Sequence, residues 1–177
     1  MNKNLFLIIT ILLLSLSRLL PHIPNFTPIL ACALFSGATF NSRKISILIL
    51  IGSMFLSDCL IEFMYGYGFH NLMIPIYLIV LSINLLGSKL KNSITKKRVM
   101  LFSVLGSIIF FLFSNLFVFL GGEYGYSLAG LQICYIAAIP FLGYSMLGDL
   151  FYNFLLFGSY YWVFKKSINI NKSNLWN

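Results

Sequence analysis

Charge is what this sequence has least of. Its 177 residues carry twelve basic and four acidic side chains, 9% in total, where a soluble domain carries roughly a quarter. With 59% apolar residues and a mean hydropathy of +0.92, a water-soluble fold is excluded, because no core of this size could hide so much apolar surface. Cysteine is also scarce. Cys32, Cys59 and Cys134 are odd in number and widely spaced, which gives neither a disulfide framework nor a metal-ligand pattern. The two histidines, His22 and His70, form no H-x-x-x-H pair, so no metal site is expected. There is no G-x-x-x-x-G-K-[ST] phosphate loop, no G-x-S-x-G and no H-E-x-x-H. ATP hydrolysis by a P-loop and the commoner intramembrane hydrolases are therefore not expected of this chain, and neither a cofactor nor an enzymatic activity is indicated.

What the sequence does have is long apolar runs. Spans are predicted over about 5–20, 27–41, 45–64, 72–87, 99–120 and 141–164. Six helices of about 20 residues cover ~120 positions, which leaves short loops and tails but no room for a soluble catalytic domain. The first run ends in Ser17-Arg18-Leu19-Leu20-Pro21 rather than in small residues, so it reads as an uncleaved helix and not a signal peptide. The apolar stretch 124–140 is broken by Gly125 and Gly130. As a helix from Ser127 to Ile139 it would be about 20 Å long, short of the ~30 Å hydrocarbon core, so it is read as a re-entrant or outer segment. The fold expected is an all-α integral membrane protein, multi-pass with six crossings and both termini cytoplasmic.

The net charge of +8 does not indicate nucleic acid, because the basic residues sit in short clusters between the apolar runs. With the N-terminus inside, Lys3, Arg43, Lys44, Lys89, Lys91, Lys96, Lys97, Arg98, Lys165, Lys166 and Lys172 all fall on the cytoplasmic face, as the positive-inside rule requires. Arg18 alone is outside. Asp58, Glu62, Glu123 and Asp149, with both histidines, are placed in the outer half. Polar chemistry is thus gathered on one side of the membrane.

Arg18 breaks the charge rule and needs a carboxylate, a lipid phosphate or an anionic ligand group. Asp58 and Glu62 share a helix face at i,i+4, as do Asp149 and Asn153. An Arg18 salt bridge to Asp58 or Asp149 is the structural reading of these charges, and a binding site is the functional one. Pro21-His22-Ile23-Pro24-Asn25-Phe26-Thr27-Pro28 predicts a stiff outer loop presenting His22, Asn25 and Phe26, with Pro28 in the first turn of the next helix. Gly66-Tyr67-Gly68-Phe69-His70 and Gly121-Gly122-Glu123-Tyr124-Gly125-Tyr126 suit either loops closing over a planar ligand or interfacial turns. Asn115, Gln132 and Tyr135 are further polar candidates. Ala33-x-x-x-Gly37 is a small-residue face for a neighbouring helix or a partner.

Arg18 to Pro28, then Ala33-Leu34-Phe35-x-Gly37-Ala38, Leu56-Ser57-Asp58, Gly130-Leu131-Gln132-x-Cys134-Tyr135, Pro140-Phe141 and Gly148-Asp149 together resemble an uncharacterised family of small bacterial membrane proteins. The resemblance covers nearly the whole chain. That family is in turn similar to the substrate-binding S components of energy-coupling-factor (ECF) vitamin transporters. The resemblance implies an S-component-like bundle in a bacterial inner membrane that captures a micronutrient from outside, its ligand held in the outer half under the first and third outer loops. It also implies a membrane coupling subunit and ATPase subunits as partners. S components commonly carry Ala-x-x-x-Ala on the first helix for docking. Here that helix is Leu and Ile rich, and Ala33-x-x-x-Gly37 is the candidate to take its place.

On this reading Arg18, His22, Asn25, Asp58 and Asp149 line the site, with Glu62, Asn115, Gln132 and Tyr135 as second choices. Arg18 pairs with a carboxylate or ligand anion, Asn25 hydrogen-bonds the ligand and aromatic rings stack on it. Two other functions fit the same sequence. One is a stand-alone ion-coupled carrier, with Asp58 or Asp149 relaying a proton. The other is a structural or assembly protein without a ligand, its Arg–Asp pair locking the bundle.

Overall fold

The computed structural model describes residues 2–21 and 23–164. His22, Lys165, Lys166, Lys172 and the cytoplasmic placement of the C-terminus lie outside the described residues. Within them the chain is helical: α1 (Lys3–Leu16) continues into a 3-10 turn (Ser17–Leu19), followed by α2 (Ile29–Thr39), α3 (Arg43–Tyr65), α4 (Met73–Ser88), α5 (Lys96–Leu120) and α6 (Leu128–Phe164). Local chemistry sets several boundaries. Asn2, Ser42 and Thr95 cap α1, α3 and α5 by accepting from the amides of Asn4, Ile45 and Arg98, which satisfies donors that have no partner inside the helix. Gly66 ends α3 in the left-handed conformation at φ 73°, which glycine adopts without a Cβ clash.

Helices α3, α5 and α6 are each long and apolar enough to cross a membrane. With 11 and 16 residues, α2 and α4 are about 16 and 24 Å long, less than the ~30 Å hydrocarbon core. The segment 124–140 does not form an element of its own. Residues 128–164 are one helix of 37 residues that continues without a break through Pro140, so this helix starts well before 141. Proline removes one donor and crowds the preceding turn, but it does not end a helix whose other backbone bonds have no water to turn to.

The central element is α2. All of its residues are buried, and it packs against each of the other five helices. Its contact with α4 is backbone on backbone. A Cβ on Gly37 would lie 2.0 Å from the Asn84 carbonyl oxygen, and one on Gly87 would lie 2.2 Å from that of Leu34. This close approach is the use of Ala33-x-x-x-Gly37, which is buried inside the molecule and is not a docking face for a partner. Beside it, Asn84 Nδ2 donates to Ser36 Oγ and Ser46 Oγ, both at 2.8 Å, and ties α4 to α2 and α3.

The bundle has two chemically distinct ends. At one, Phe6 packs on Phe164, Lys3 lies over the Tyr160 ring, Lys91 Nζ reaches the Asn41 carbonyl and Arg98 bonds the Lys89 carbonyl. This end gathers Lys3, Arg43, Lys44 and the 89–98 loop. At the other, the Tyr65 hydroxyl donates to the Leu19 carbonyl and the Phe69 amide to Glu62, so the 20–28 and 66–72 loops lie together.

Candidate functional site

Two polar groups and one cavity carry the chemistry, and they are separate. The first group is built on the parallel pair α1 and α3, which is joined by Ser15 to Ser53 at 3.0 Å. One turn further on, Arg18 Nη1 donates to Ser57 Oγ at 2.8 Å and pairs with Asp58 Oδ1 at 2.5 Å. The Tyr77 hydroxyl, from α4, donates to the second carboxylate oxygen at 2.6 Å. Asp58 is 4% exposed and has both oxygens occupied by donors from two other elements, so its cost of burial is offset by pairing and hydrogen bonding. Of the two partners proposed for Arg18, the structure supplies Asp58. Tyr77 could not be singled out from sequence, since an aromatic residue near a membrane-helix end is usually an interfacial anchor.

The second group lies between α5 and α6. Ser107 Oγ donates to Asp149 Oδ2 at 2.6 Å, and the Ser145 hydroxyl also lies against this carboxylate. One turn along, Asn153 Nδ2 donates to Ser103 Oγ at 2.8 Å. Asp149 and Asn153 are 2% and 1% exposed. Among the described residues Asp149 is met by hydroxyls and not by a cation.

The cavity comes from the path of α6. Cys134 Sγ contacts the Asn115 carbonyl and Asp149 contacts Ser107. Between these points α5 advances eight residues and α6 fifteen, or about 12 Å against about 22 Å of helix. The longer path bows away from the shorter, with Pro140 inside the bow, as expected of a proline-centred deviation. The gap is a cavity of about 220 Å³ lined by Leu72 and Ile76 of the α4 end, Phe110, Phe111, Ser114, Asn115 and Val118 of α5, Ala138, Phe141, Leu142 and Ser145 of α6, and Asn25.

Asn25 reaches the cavity through a tight turn. The Phe26 amide donates to the Ile23 carbonyl at 3.0 Å and Asn25 has φ 63°. This is a type II turn with Pro24 at its second position and Asn25 at the left-handed third. Phe26 is not presented outward. It packs on Phe151 and Tyr152, and its backbone lies where a Cβ on Gly148 would come within 3.2 Å. The loop therefore descends between the helices, which is why α2 begins so late. Pro28 occupies the cap position of α2 with no side-chain hydrogen bond from Thr27 or Asn25.

Of the nine residues expected to line a site, the cavity brings together Asn25 and Asn115. Arg18 and Asp58 form the ion pair on the far side of α4. Asp149 lies beneath the cavity floor, in contact with Ser145. Glu62 secures the 66–72 loop through the Phe69 amide. Tyr135 donates to the Leu112 carbonyl at 2.6 Å and packs edge-on against Phe111, supporting the cavity wall from behind. Gln132 is exposed on α6, and His22 lies outside the described residues. Ser114, Ser145 and the rings of Phe110, Phe111 and Phe141 were not foreseen. Their only signal is position: 110, 111, 114 and 118 follow helical spacing on α5.

The sequence profile of a family of unknown function (DUF6580) matches residues 1–172, and the chain belongs to that family. No curated protein and no solved structure matches the chain.

Proposed function

We propose that this DUF6580 protein is a membrane-embedded binding protein for a small, largely planar metabolite, of the kind that serves as the substrate-binding component of an ECF-type vitamin uptake system. The observation that carries the reading is the cavity opened by the bow of α6. Phenylalanine rings on two helices face a few polar groups there, the composition typical of ligand sites, where apolar walls supply affinity and sparse polar groups supply orientation. At about 220 Å³ it suits a heterocycle and not a large conjugate. Asn25 and Asn115 offer the amide groups that pair with ring nitrogens and carbonyls, and Phe110, Phe111 and Phe141 offer faces for stacking.

Six crossings with the charged end in the cytoplasm would open the cavity toward the outside, consistent with uptake. Transport would draw its energy from partner subunits, since the chain has no phosphate loop. Any docking face for them must lie elsewhere than Ala33 to Gly37, which α4 covers. The lipid bilayer surrounds the remaining exposed apolar surface.

The test is a melting-temperature screen of the purified protein against vitamins and nucleobase-like metabolites. A ligand confined to the native state at about 100 times its dissociation constant adds roughly 2.7 kcal/mol of stability. Ala138→Leu, which fills the cavity, is expected to abolish the response of any hit. Asn25→Gly keeps the left-handed turn while removing the amide, and is expected to weaken binding without unfolding the protein. A hit that survives Ala138→Leu at full strength would put the ligand elsewhere, and silence from a folded protein across the panel would leave the structural reading standing.

A further inference from the structure

The cavity under the bow of α6 is lined without an ionisable side chain. Its polar residues are Asn25, Ser114, Asn115 and Ser145, and the rest of its wall is aliphatic or aromatic. The charged groups of the two polar clusters are engaged elsewhere. Arg18 and Asp58 neutralise each other beyond α4, and Asp149 accepts from Ser107 and Ser145 without reaching the wall. Three of the four polar residues keep hydrogen-bonding capacity that the protein does not use. A hydroxyl in a membrane helix ordinarily bonds back to the preceding turn. Among the described residues, every other serine within an α-helix does so or shares a bond with another side chain. The Ser114 hydroxyl does neither, and the Asn25 side-chain amide likewise meets no partner among the described residues. Asn115 Nδ2 donates to the Phe111 carbonyl at 2.7 Å. A carbonyl only accepts, so the NH₂ is the end that faces it, and Asn115 Oδ1 is left without a donor.

We propose that the cavity selects an uncharged ring bearing an amide, as a lactam or imide within the ring or a carboxamide attached to it, and rejects the carboxylate and the amine of the same ring. The inference rests on the cavity being the ligand site. Charge decides the first part. An ion moved out of water against phenylalanine, leucine and isoleucine, with no counter-charge on the wall, loses more in hydration than neutral hydrogen bonds return. An anion would also have the Asp149 carboxylate beneath it, with only Ser145 between them. A cation would be held off that carboxylate by the same serine, too far for a charge-assisted hydrogen bond. The unused groups decide the second part, because they are of both kinds. Asn25 offers an N–H donor beside a carbonyl acceptor, Ser114 a hydroxyl that serves as either, and Asn115 a carbonyl acceptor. A ligand edge with a donor and an acceptor side by side takes two parallel bonds from an asparagine amide, as a base edge does. A carboxylate has no N–H to give and an ammonium has no acceptor, so each leaves one of these groups unpaired once water is displaced.

The experiment is a thermal-shift titration of the purified full chain at neutral pH with probes matched in ring and differing in charge. The sets are nicotinamide, nicotinate and picolylamine; pyrazinamide, pyrazinoate and aminomethylpyrazine; and uracil with orotate. The amide or lactam member of at least one set is expected to raise the midpoint saturably, at a concentration about a hundredfold below that needed by its charged counterparts. Ser114→Ala removes a hydroxyl that has no partner in the protein, so it is expected to leave the ligand-free midpoint unchanged and to weaken the amide about threefold to tenfold. A response led by a carboxylate or an amine, and lost in Ala138→Leu, would overturn this inference while leaving the cavity as a ligand site. An amide response that both Ser114→Ala and Asn25→Gly leave at full strength would overturn it as well. Silence of every set from a folded protein, or a response that survives Ala138→Leu, would overturn the cavity reading and this inference with it.

Discussion

At the scale of single residues, the molecule divides its polar side chains between holding the fold and leaving chemistry to be done. Arg18, Asp58 and Tyr77 hold the fold. Removing Asp58 leaves the Arg18 guanidinium, 20% exposed, without its partner, and Asp58→Ala is expected to cost about 3 kcal/mol, read as a lower melting temperature in detergent. Tyr77→Phe loses only one hydrogen bond to a charged group and is expected to cost about 1.5–3 kcal/mol. The close approach of α2 and α4 gives a sharper contrast. Gly37→Ala and Gly87→Ala drive a methyl into a backbone carbonyl and are expected to destabilise by at least about 1–3 kcal/mol. Gly52→Ala and Gly143→Ala, where a Cβ meets nothing within 4 Å, are expected to leave the melting temperature unchanged or slightly raised. That Arg18 needs a partner was legible from its place outside the charge rule. Which carboxylate supplies it was not, because Asp58 and Asp149 are equally apolar in context and only packing separates them.

At the scale of elements, what could be read depended on whether water has a part in the pattern. Helices α3 and α5 were found to within a few residues because basic clusters and Gly-rich turns mark where chain meets water. The end of α2 was marked in the same way, by Asn41 and Arg43. The continuity of α6 was not legible, since Pro140, Gly125 and Gly130 carry the same punctuation as a loop and nothing in composition shows that the helix persists. The bow that Pro140 sits in has a functional consequence. Pro140→Ala restores the missing backbone donor, so it is expected to keep or raise the melting temperature while the helix straightens toward α5. The cavity then narrows, and the ligand-induced increment in the same assay is expected to shrink.

At the scale of the whole molecule, the charge distribution predicts an orientation that the two ends of the bundle make specific. Single cysteines introduced at Asn92 and Glu123 are expected to react with an impermeant thiol reagent from opposite faces, Glu123→Cys from outside and Asn92→Cys only after permeabilisation. Reaction of both from one side would rule out the six-crossing topology. The central position of α2 was hidden from the sequence for a physical reason. In water an apolar stripe marks the inward face of a helix, but in lipid the inward and outward faces are equally apolar, so burial leaves no periodic trace. Small residues are the signal that remains, and Ala31, Ala33, Gly37 and Ala38 on α2 with Gly87 on α4 are where it lies.

The enclosure of α2 also sets an order for making the protein. This helix is synthesised well before α6, yet Phe35 packs edge-on against Phe157 and Tyr160 of that later helix. Until residues near 157 have left the ribosome, α2 has neither its final neighbours nor the length to rest across a bilayer by itself. Biogenesis therefore passes through a stage in which a short, apolar, half-partnered segment waits in the membrane for α6. Nascent chains truncated before 128 should be recognised as unfinished and cleared by membrane proteases, and a pulse-chase comparison with the full-length chain would measure how long that wait can last.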